Sequence, residues 1–148
     1  MTEFVNHPLV QGYIKANNFG ALLGMDFTIL GPGEIVYSMP ITKELLATPI
    51  AAHGGSISAL MDATMGVCAL SQVLQDNRVV STMEMKISFT APSLLGDELK
   101  ATAKIVKRGK KLLFVEGEIK NQKGQLIAIA TGTFNSYPAE KAGFNNRI

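Results

Sequence analysis

The residues of this chain best suited to chemistry lie in one run: His53-Gly54-Gly55-Ser56-Ile57-Ser58-Ala59-Leu60-Met61-Asp62. Two adjacent glycines at a loop-to-helix junction let the backbone approach a ligand with no Cβ in the way. The first N–H groups of a helix have no partner within it, and the macrodipole adds partial positive charge there. An oxygen that becomes negative in a transition state is stabilised at such a place. Asp62 follows Gly55 by seven residues, about two turns along the same helix. A carboxylate on an apolar helix is costly unless it is paired, hydrogen-bonded or functional. Donors at the helix start and a lone carboxylate downstream suit acyl transfer to water, with the carboxylate attacking directly or activating the water. Each residue alone also has a plain structural use: the glycines as loop, His53 as a hydrogen-bonded histidine, Asp62 as an acid satisfied by a turn. Ser56 and Ser58 read as helix-start residues, because no Ser-His-Asp pattern accompanies them, and Cys68 among Val67, Ala69 and Leu70 reads as core.

The elements that must position this run are legible from periodicity. From Gly54, the residues Ile57, Leu60, Met61, Thr64, Val67, Cys68 and Ser71 recur at helical spacing, predicting one helix that ends near 75–78. Asp62 is its only charged side chain, so the helix is expected to be buried all round. Before it, Met25 to Leu30 and Glu34 to Met39 read as strands joined by a Gly31-Pro32-Gly33 turn, and Ile41 to Ala52 as a loop. After it come four strands. In Ser81 to Phe89, the residues Ser81, Met83, Met85, Ile87 and Phe89 alternate with Thr82, Glu84, Lys86 and Ser88; Leu99 to Ile105, Leu112 to Lys120 and Gln125 to Asn135 follow. Their short connections imply antiparallel neighbours. The order β-β-helix-β-β-β-β predicts an α+β fold in which a curved antiparallel sheet of about six strands wraps one buried helix. Residues 1–20 read as a peripheral arm, with a short helix in Pro8 to Phe19 that carries Leu9, Tyr13 and Ile14 on one side. Residues 139–148 read as a loose tail.

Composition narrows the class. With 148 residues, 47% hydrophobic and 18% charged, the chain fits a single globular domain that buries roughly two-thirds of its unfolded surface. A lone cysteine excludes a disulfide framework within the chain and multi-cysteine zinc clusters. A net charge of +2 and the absence of tryptophan argue against nucleic acid as a partner. The longest uncharged stretch, Leu45 to Met61, is broken by Pro49, His53, Gly54 and Gly55 and does not read as a membrane span. No targeting segment is recognisable at the start, so a soluble protein of the reducing cytosol is expected.

The pattern H-G-G-x-x-x-x-L-x-D-x-x-x-G, from His53 to Gly66, resembles the hotdog-fold thioesterases of the phenylacetate-degradation (PaaI-like) group. Ser81 to Pro92, Gly96-Asp97-Glu98-Leu99, the basic hairpin Val106 to Lys110 and Ala128 to Phe134 are similar to further parts of that family, over roughly residues 20–136. The resemblance implies an acyl-CoA thioesterase with Asp62 as general base or nucleophile. Gly54, with Gly55, falls on the backbone donor to the thioester carbonyl. His53 falls on the histidine that shapes the site, and Thr82 on a Ser/Thr position near the attacking water, contributed from the partner subunit. Six residues before the histidine many members carry asparagine; here Ala47 stands there, so a polar contact is missing or comes from a neighbour such as Thr48. No metal or redox cofactor is implied, since coenzyme A is part of the substrate. Five of the fourteen Lys/Arg residues, Lys104, Lys107, Arg108, Lys110 and Lys111, lie within eight positions. They read as a solvated turn or as a landing site for the phosphates of coenzyme A. A non-catalytic acyl-CoA binder or sensor is the alternative, a dehydratase a more distant one.

A sheet wrapped round one helix leaves edges that a second chain can cover, so a homodimer, or a dimer of dimers, is expected. Sedimentation should give a mass of at least twice the 15.9 kDa of one chain; a stable monomer would contradict the expectation.

Overall fold

The Gly31-Pro32-Gly33 breaker does make the first turn, with Gly33 in the left-handed region at φ +79°. It joins β1 (Asp26–Gly31) to β2 (Glu34–Pro40) in a computed structural model that describes residues 2–144. A loop then leads to the long helix. Numbering the helices in chain order, α1 (Thr2–Val5), α2 (Pro8–Ala16) and α3 (Asn18–Leu22) form the arm and α4 (Gly54–Ser71) is the long one. β3 (Arg78–Phe89), β4 (Glu98–Arg108), β5 (Leu112–Lys120) and β6 (Leu126–Pro138) follow. All pairings are antiparallel and the spatial order is β1-β2-β4-β5-β6-β3, which leaves β1 and β3 as the edges. This is the hotdog architecture that the resemblance implies.

α4 is apolar around its circumference and packs against β2 to β6, with Leu60, Met61, Thr64, Met65 and Cys68 fully buried. The sheet comes close to it at Gly117, where a Cβ would fall 2.8 Å from Met61 Sδ. At its far end the helix is tied to the β1–β2 turn. Gly33 N–H donates to Ser71 Oγ (2.7 Å), and the Cys68 thiol donates to Gly33 O (3.3 Å). Burial pushes the Cys68 thiol up to about 12, so this cysteine is core, as its neighbours suggested.

Four expectations need correction. α4 ends at Ser71 rather than near 75–78: the chain tightens into a 3-10 turn at Leu74–Asp76 and reverses through Asn77, whose φ is 53°. The arm helix ends at Ala16 and buries Leu9 and Val10, while Ile14 is 46% exposed. Its position is fixed by Tyr13, whose hydroxyl lies 3.3 Å from that of Tyr37 and accepts from Asn17 Nδ2 (3.2 Å). The tail is not loose over its described part: residues 139–142 form a 3-10 turn with Ala139 buried, and residues 145–148 lie outside the described residues. β3 does not keep one clean alternation, because its register against β6 shifts between Thr82 and Glu84. Among the described residues no helix is long and apolar enough to cross a membrane.

Gly96-Asp97 has a structural explanation. The Asp97 carboxylate accepts from Leu94 N–H (2.8 Å), Gln122 Nε2 (3.0 Å) and Ser93 Oγ (3.4 Å), joining the β3–β4 loop to the β5–β6 turn. Burial works against its charge, but these donors and nearby Lys123 outweigh it and hold the carboxyl below the usual range. Asp97→Ala should therefore cost about 1–3 kcal/mol in urea unfolding at neutral pH. Because the folded carboxyl is the stronger acid, its contribution is present above the unfolded value of about 3.9 and fades as pH falls through the lower folded value. The variant and the parent should converge in acid.

Candidate functional site

Pairing along β3 is in step with β6 up to Thr82↔Phe134 and resumes at Glu84↔Thr133, so Met83 is an extra residue, a β-bulge. One inserted residue reverses which side chains face inward. Upstream of the bulge it is Thr82, not Ser81 or Met83, that shares the helix face with Met85, Ile87 and Phe89; Met83 is 62% exposed. The Thr82 hydroxyl donates to Asp62 Oδ1 at 2.6 Å. This bond lies within one chain, so Thr82 and Asp62 come from the same copy. Asp62 itself is half-buried on α4.

His53 is the N-cap of α4. Its Nδ1 accepts from Gly55 N–H at 2.7 Å, its carbonyl accepts from Ser56 N–H at 3.0 Å, and its own N–H donates to Leu45 O at 2.7 Å. A Cβ on residue 55 would fall 2.8 Å from His53 Nδ1, so this cap requires glycine there. The two glycine N–H groups are thus not equivalent. That of Gly55 is taken by His53, whereas that of Gly54 has no hydrogen-bond partner among the described residues. Phe89 lies over Gly54, 3.4 Å from the position of an added Cβ.

The structure brings Asp62 and Thr82 together, and His53, Gly54 and Gly55 together, but not the two groups. Eight residues separate Gly54 from Asp62, about 12 Å along the helix axis. Ala47 lies exposed in the preceding loop, and the Thr48 hydroxyl oxygen is engaged locally, accepting from Ala51 N–H (2.9 Å) and Ile50 N–H (3.4 Å).

The basic hairpin is divided. Lys104 pairs with Glu116 across β4 and β5 at 2.8 Å. An extra residue at Val106 turns Arg108 to the helix side, where it pairs with Asp76 at 2.8 Å. Lys107, Lys110 and Lys111 are exposed and have no acidic partner among the described residues. The hairpin adjoins the start of β3: Ser136 N–H donates to Lys111 O (2.6 Å), and the Arg78 guanidinium donates to Ser136 Oγ (2.8 Å) and Ser136 O (2.6 Å).

Asp62 and Thr82 open onto a cavity of about 220 Å³ between α4, β3, α2 and the 139–144 segment. Tyr13 lines it; burial raises the Tyr13 phenol, its bond to Tyr37 opposes that, and the Asp62 charge adds to the rise. A larger groove of about 580 Å³ lies on the outer face of the sheet, away from Asp62. Phe89 over Gly54, and Tyr13 and Gly66 in the cavity wall, were not singled out from sequence. The available signal was Gly66, a lone glycine within a helical pattern. His53→Ala should lower the melting temperature, at a cost of about 1 kcal/mol for the lost cap, and His53→Asn should restore most of it. Equal stability of all three proteins would contradict the capping role.

A model of the Thioesterase superfamily matches residues 51–128, the span from the helix approach to β6. Acyl-coenzyme A thioesterase 13 of Homo sapiens is 30% identical over 122 residues, covering 81% of this chain and 86% of that protein. Acyl-coenzyme A thioesterase PaaI of Escherichia coli is 31% identical over 110 residues, covering 74% and 76%. The solved structure of the E. coli PaaI protein superposes with a TM-score of 0.79 at 25% identity, over 86% of this chain and 89% of that one. The chain belongs to the thioesterase superfamily, and it is a thioester hydrolase on the hotdog fold.

Proposed function

We propose that the chain hydrolyses an acyl-CoA to a carboxylic acid and coenzyme A, using Asp62 as general base or nucleophile and the Gly54 N–H as oxyanion donor. The observation that carries this reading is the 2.6 Å bond from Thr82 to Asp62 at the mouth of an apolar cavity. Thr82 holds one carboxylate oxygen; the other accepts no hydrogen bond among the described residues and is available to a water or to the thioester carbon. When water attacks, its proton passes to Asp62, its oxygen bonds the carbonyl carbon, and the C–S bond breaks. The thiolate then takes up the proton. No metal or redox centre is needed for these steps.

A general base and an oxyanion donor must both lie about 3 Å from one reacting carbonyl group. The distance of about 12 Å between Gly54 and Asp62 therefore divides the site between two copies. β3 offers the seam: twelve residues of edge strand with Met83 and Phe89 exposed. If two copies pair antiparallel along β3, the start of one strand lies beside the end of the other. Phe89 and Gly54 of one copy then face Asp62 and Thr82 of the next, with its basic hairpin near by. Lys107, Lys110 and Lys111 are the cations left to meet coenzyme A phosphates, whereas Arg108 is already held by Asp76.

Thiol release on a panel of acyl-CoAs tests the reading. Asp62→Asn should lower kcat by about 10²–10⁴-fold with little change in KM, the scale of a lost acid–base group. Near-normal turnover would sink the assignment, and binding without turnover by the parent protein would favour the sensor alternative that Ala47 suggests. Reversing Lys110 and Lys111 to Glu should raise KM severalfold and leave kcat nearly unchanged; an unchanged KM would discard the hairpin as the phosphate site.

A further inference from the structure

The arm helix α2 brings a phenol to the cavity that holds Asp62, and the hydrogen bonds around it decide where its proton points. Tyr13 lines this cavity, and its ring packs against Phe27 of β1 with centroids 5.9 Å apart. Phe27 in turn lies against Tyr37 of β2 (5.0 Å). The Tyr13 and Tyr37 hydroxyl oxygens are 3.3 Å apart, and Asn17 Nδ2 donates to Tyr13 Oη at 3.2 Å. The Asn17 amide faces the Tyr37 hydroxyl as well. It offers donors only, because its Oδ1 accepts from Gly20 N–H (3.1 Å).

Tyr37 is 1% exposed, so its hydroxyl proton must find an acceptor within the protein. With Asn17 turned donor-first, Tyr13 Oη is the acceptor left for it among the described residues. Tyr13 therefore receives two hydrogen bonds, and its own proton has no taker in the arm or in β2. That proton turns to the cavity, where Asp62 is the only charged residue in the lining and Tyr137 the one further titratable group. Burial raises the Tyr13 phenol and the Asp62 charge adds to the rise, against the opposing bond to Tyr37, so it is protonated and a donor at neutral pH. Thr82 holds Asp62 Oδ1, and no direct bond joins Tyr13 to the carboxylate among the described residues. A water between the phenol and the other oxygen satisfies both.

Such a water is placed as a nucleophile. It gives one proton toward Asp62, accepts from Tyr13 with one lone pair and keeps the other lone pair for the thioester carbon. We infer that Tyr13 is the donor that positions the attacking water, so that Asp62 acts as general base rather than as nucleophile. This rests on the thioesterase reading. The water oxygen bonds the carbonyl carbon, its proton passes to Asp62, the C–S bond breaks and the thiolate takes up that proton. Tyr13 keeps its own.

The test is kcat, KM and melting temperature for the parent, Tyr13→Phe, Tyr37→Phe and the double variant. The substrate is whichever of acetyl-, hexanoyl-, phenylacetyl- and palmitoyl-CoA the parent hydrolyses best. Tyr13→Phe should lower kcat about ten- to a hundredfold, the scale of a misplaced reactant, and leave KM within about twofold. It also strands the buried Tyr37 proton, so its melting temperature should fall. The double variant removes that proton too; it should melt above Tyr13→Phe yet show the same low kcat. Tyr37→Phe should lower kcat by less than about threefold, since the Tyr13 hydroxyl remains. In a single turnover with excess parent enzyme in water labelled with heavy oxygen, the released acid should carry the label. Unlabelled acid would mean direct attack by Asp62 and would overturn the inference. So would a Tyr13→Phe with parent kcat, or a kcat that tracks melting temperature across the three variants, as a purely structural bond requires. These outcomes leave the thioesterase reading intact, whereas absence of turnover on every thioester by the parent would overturn both.

Discussion

The hydrogen bond from Thr82 to Asp62 is where the two halves of the molecule meet. One partner is the only charged residue of a helix that the sheet surrounds; the other lies on the strand at the edge of the sheet among the described residues. The bond exists because a single extra residue, Met83, rotates the upstream part of β3 so that a threonine faces inward where a regular strand would present a serine or a methionine. A carboxylate on an apolar helix is stabilised by that hydroxyl and by partial access to water rather than by a cation. It keeps one oxygen unengaged among the described residues, and on the proposed reading that oxygen serves the reaction.

A second constraint follows from helix geometry. The cap at His53 consumes one of the two glycine N–H groups and leaves that of Gly54, yet the rise of an α-helix sets this donor two turns from the carboxylate. No side-chain rotation closes such a gap. The edge position of β3 resolves it if a second copy continues the sheet. The strand that carries Thr82 then also carries, at its other end, the Phe89 that covers Gly54. Catalytic division between chains and protection of an exposed strand become one solution to two problems.

Much of this was legible in the residues. Helical spacing and the absence of charge gave a buried helix at the right place, and alternation gave the strands after it. The His-Gly-Gly and Asp62 spacing read as one site along the helix, whereas the fold sets Gly54 and Asp62 about 12 Å apart on it. What alternation hides is a bulge: Ser81 to Phe89 reads as a perfect period of two, and only pairing with β6 reveals that the phase changes at Met83. The cap role of His53 depends on backbone angles that composition does not encode. Arg108 looked like a free cation because its partner, Asp76, lies thirty-two residues away in sequence. The turn at 139–142 was hidden for a similar reason. Its burial comes from contact with the start of β3, a tertiary effect that local polarity cannot report.

The division of the site between two copies is tested most directly by complementation. Asp62→Asn disables the carboxylate half, and Gly54→Leu sets a side chain over the donor half against Phe89. Each homodimer should be nearly inactive. A heterodimer of the two, purified through different tags, retains one intact composite site of two and should recover about half of the parent activity. If the carboxylate and the donor instead served the same carbonyl from within one chain, every site in the heterodimer would carry a lesion. Activity at background would then contradict the account.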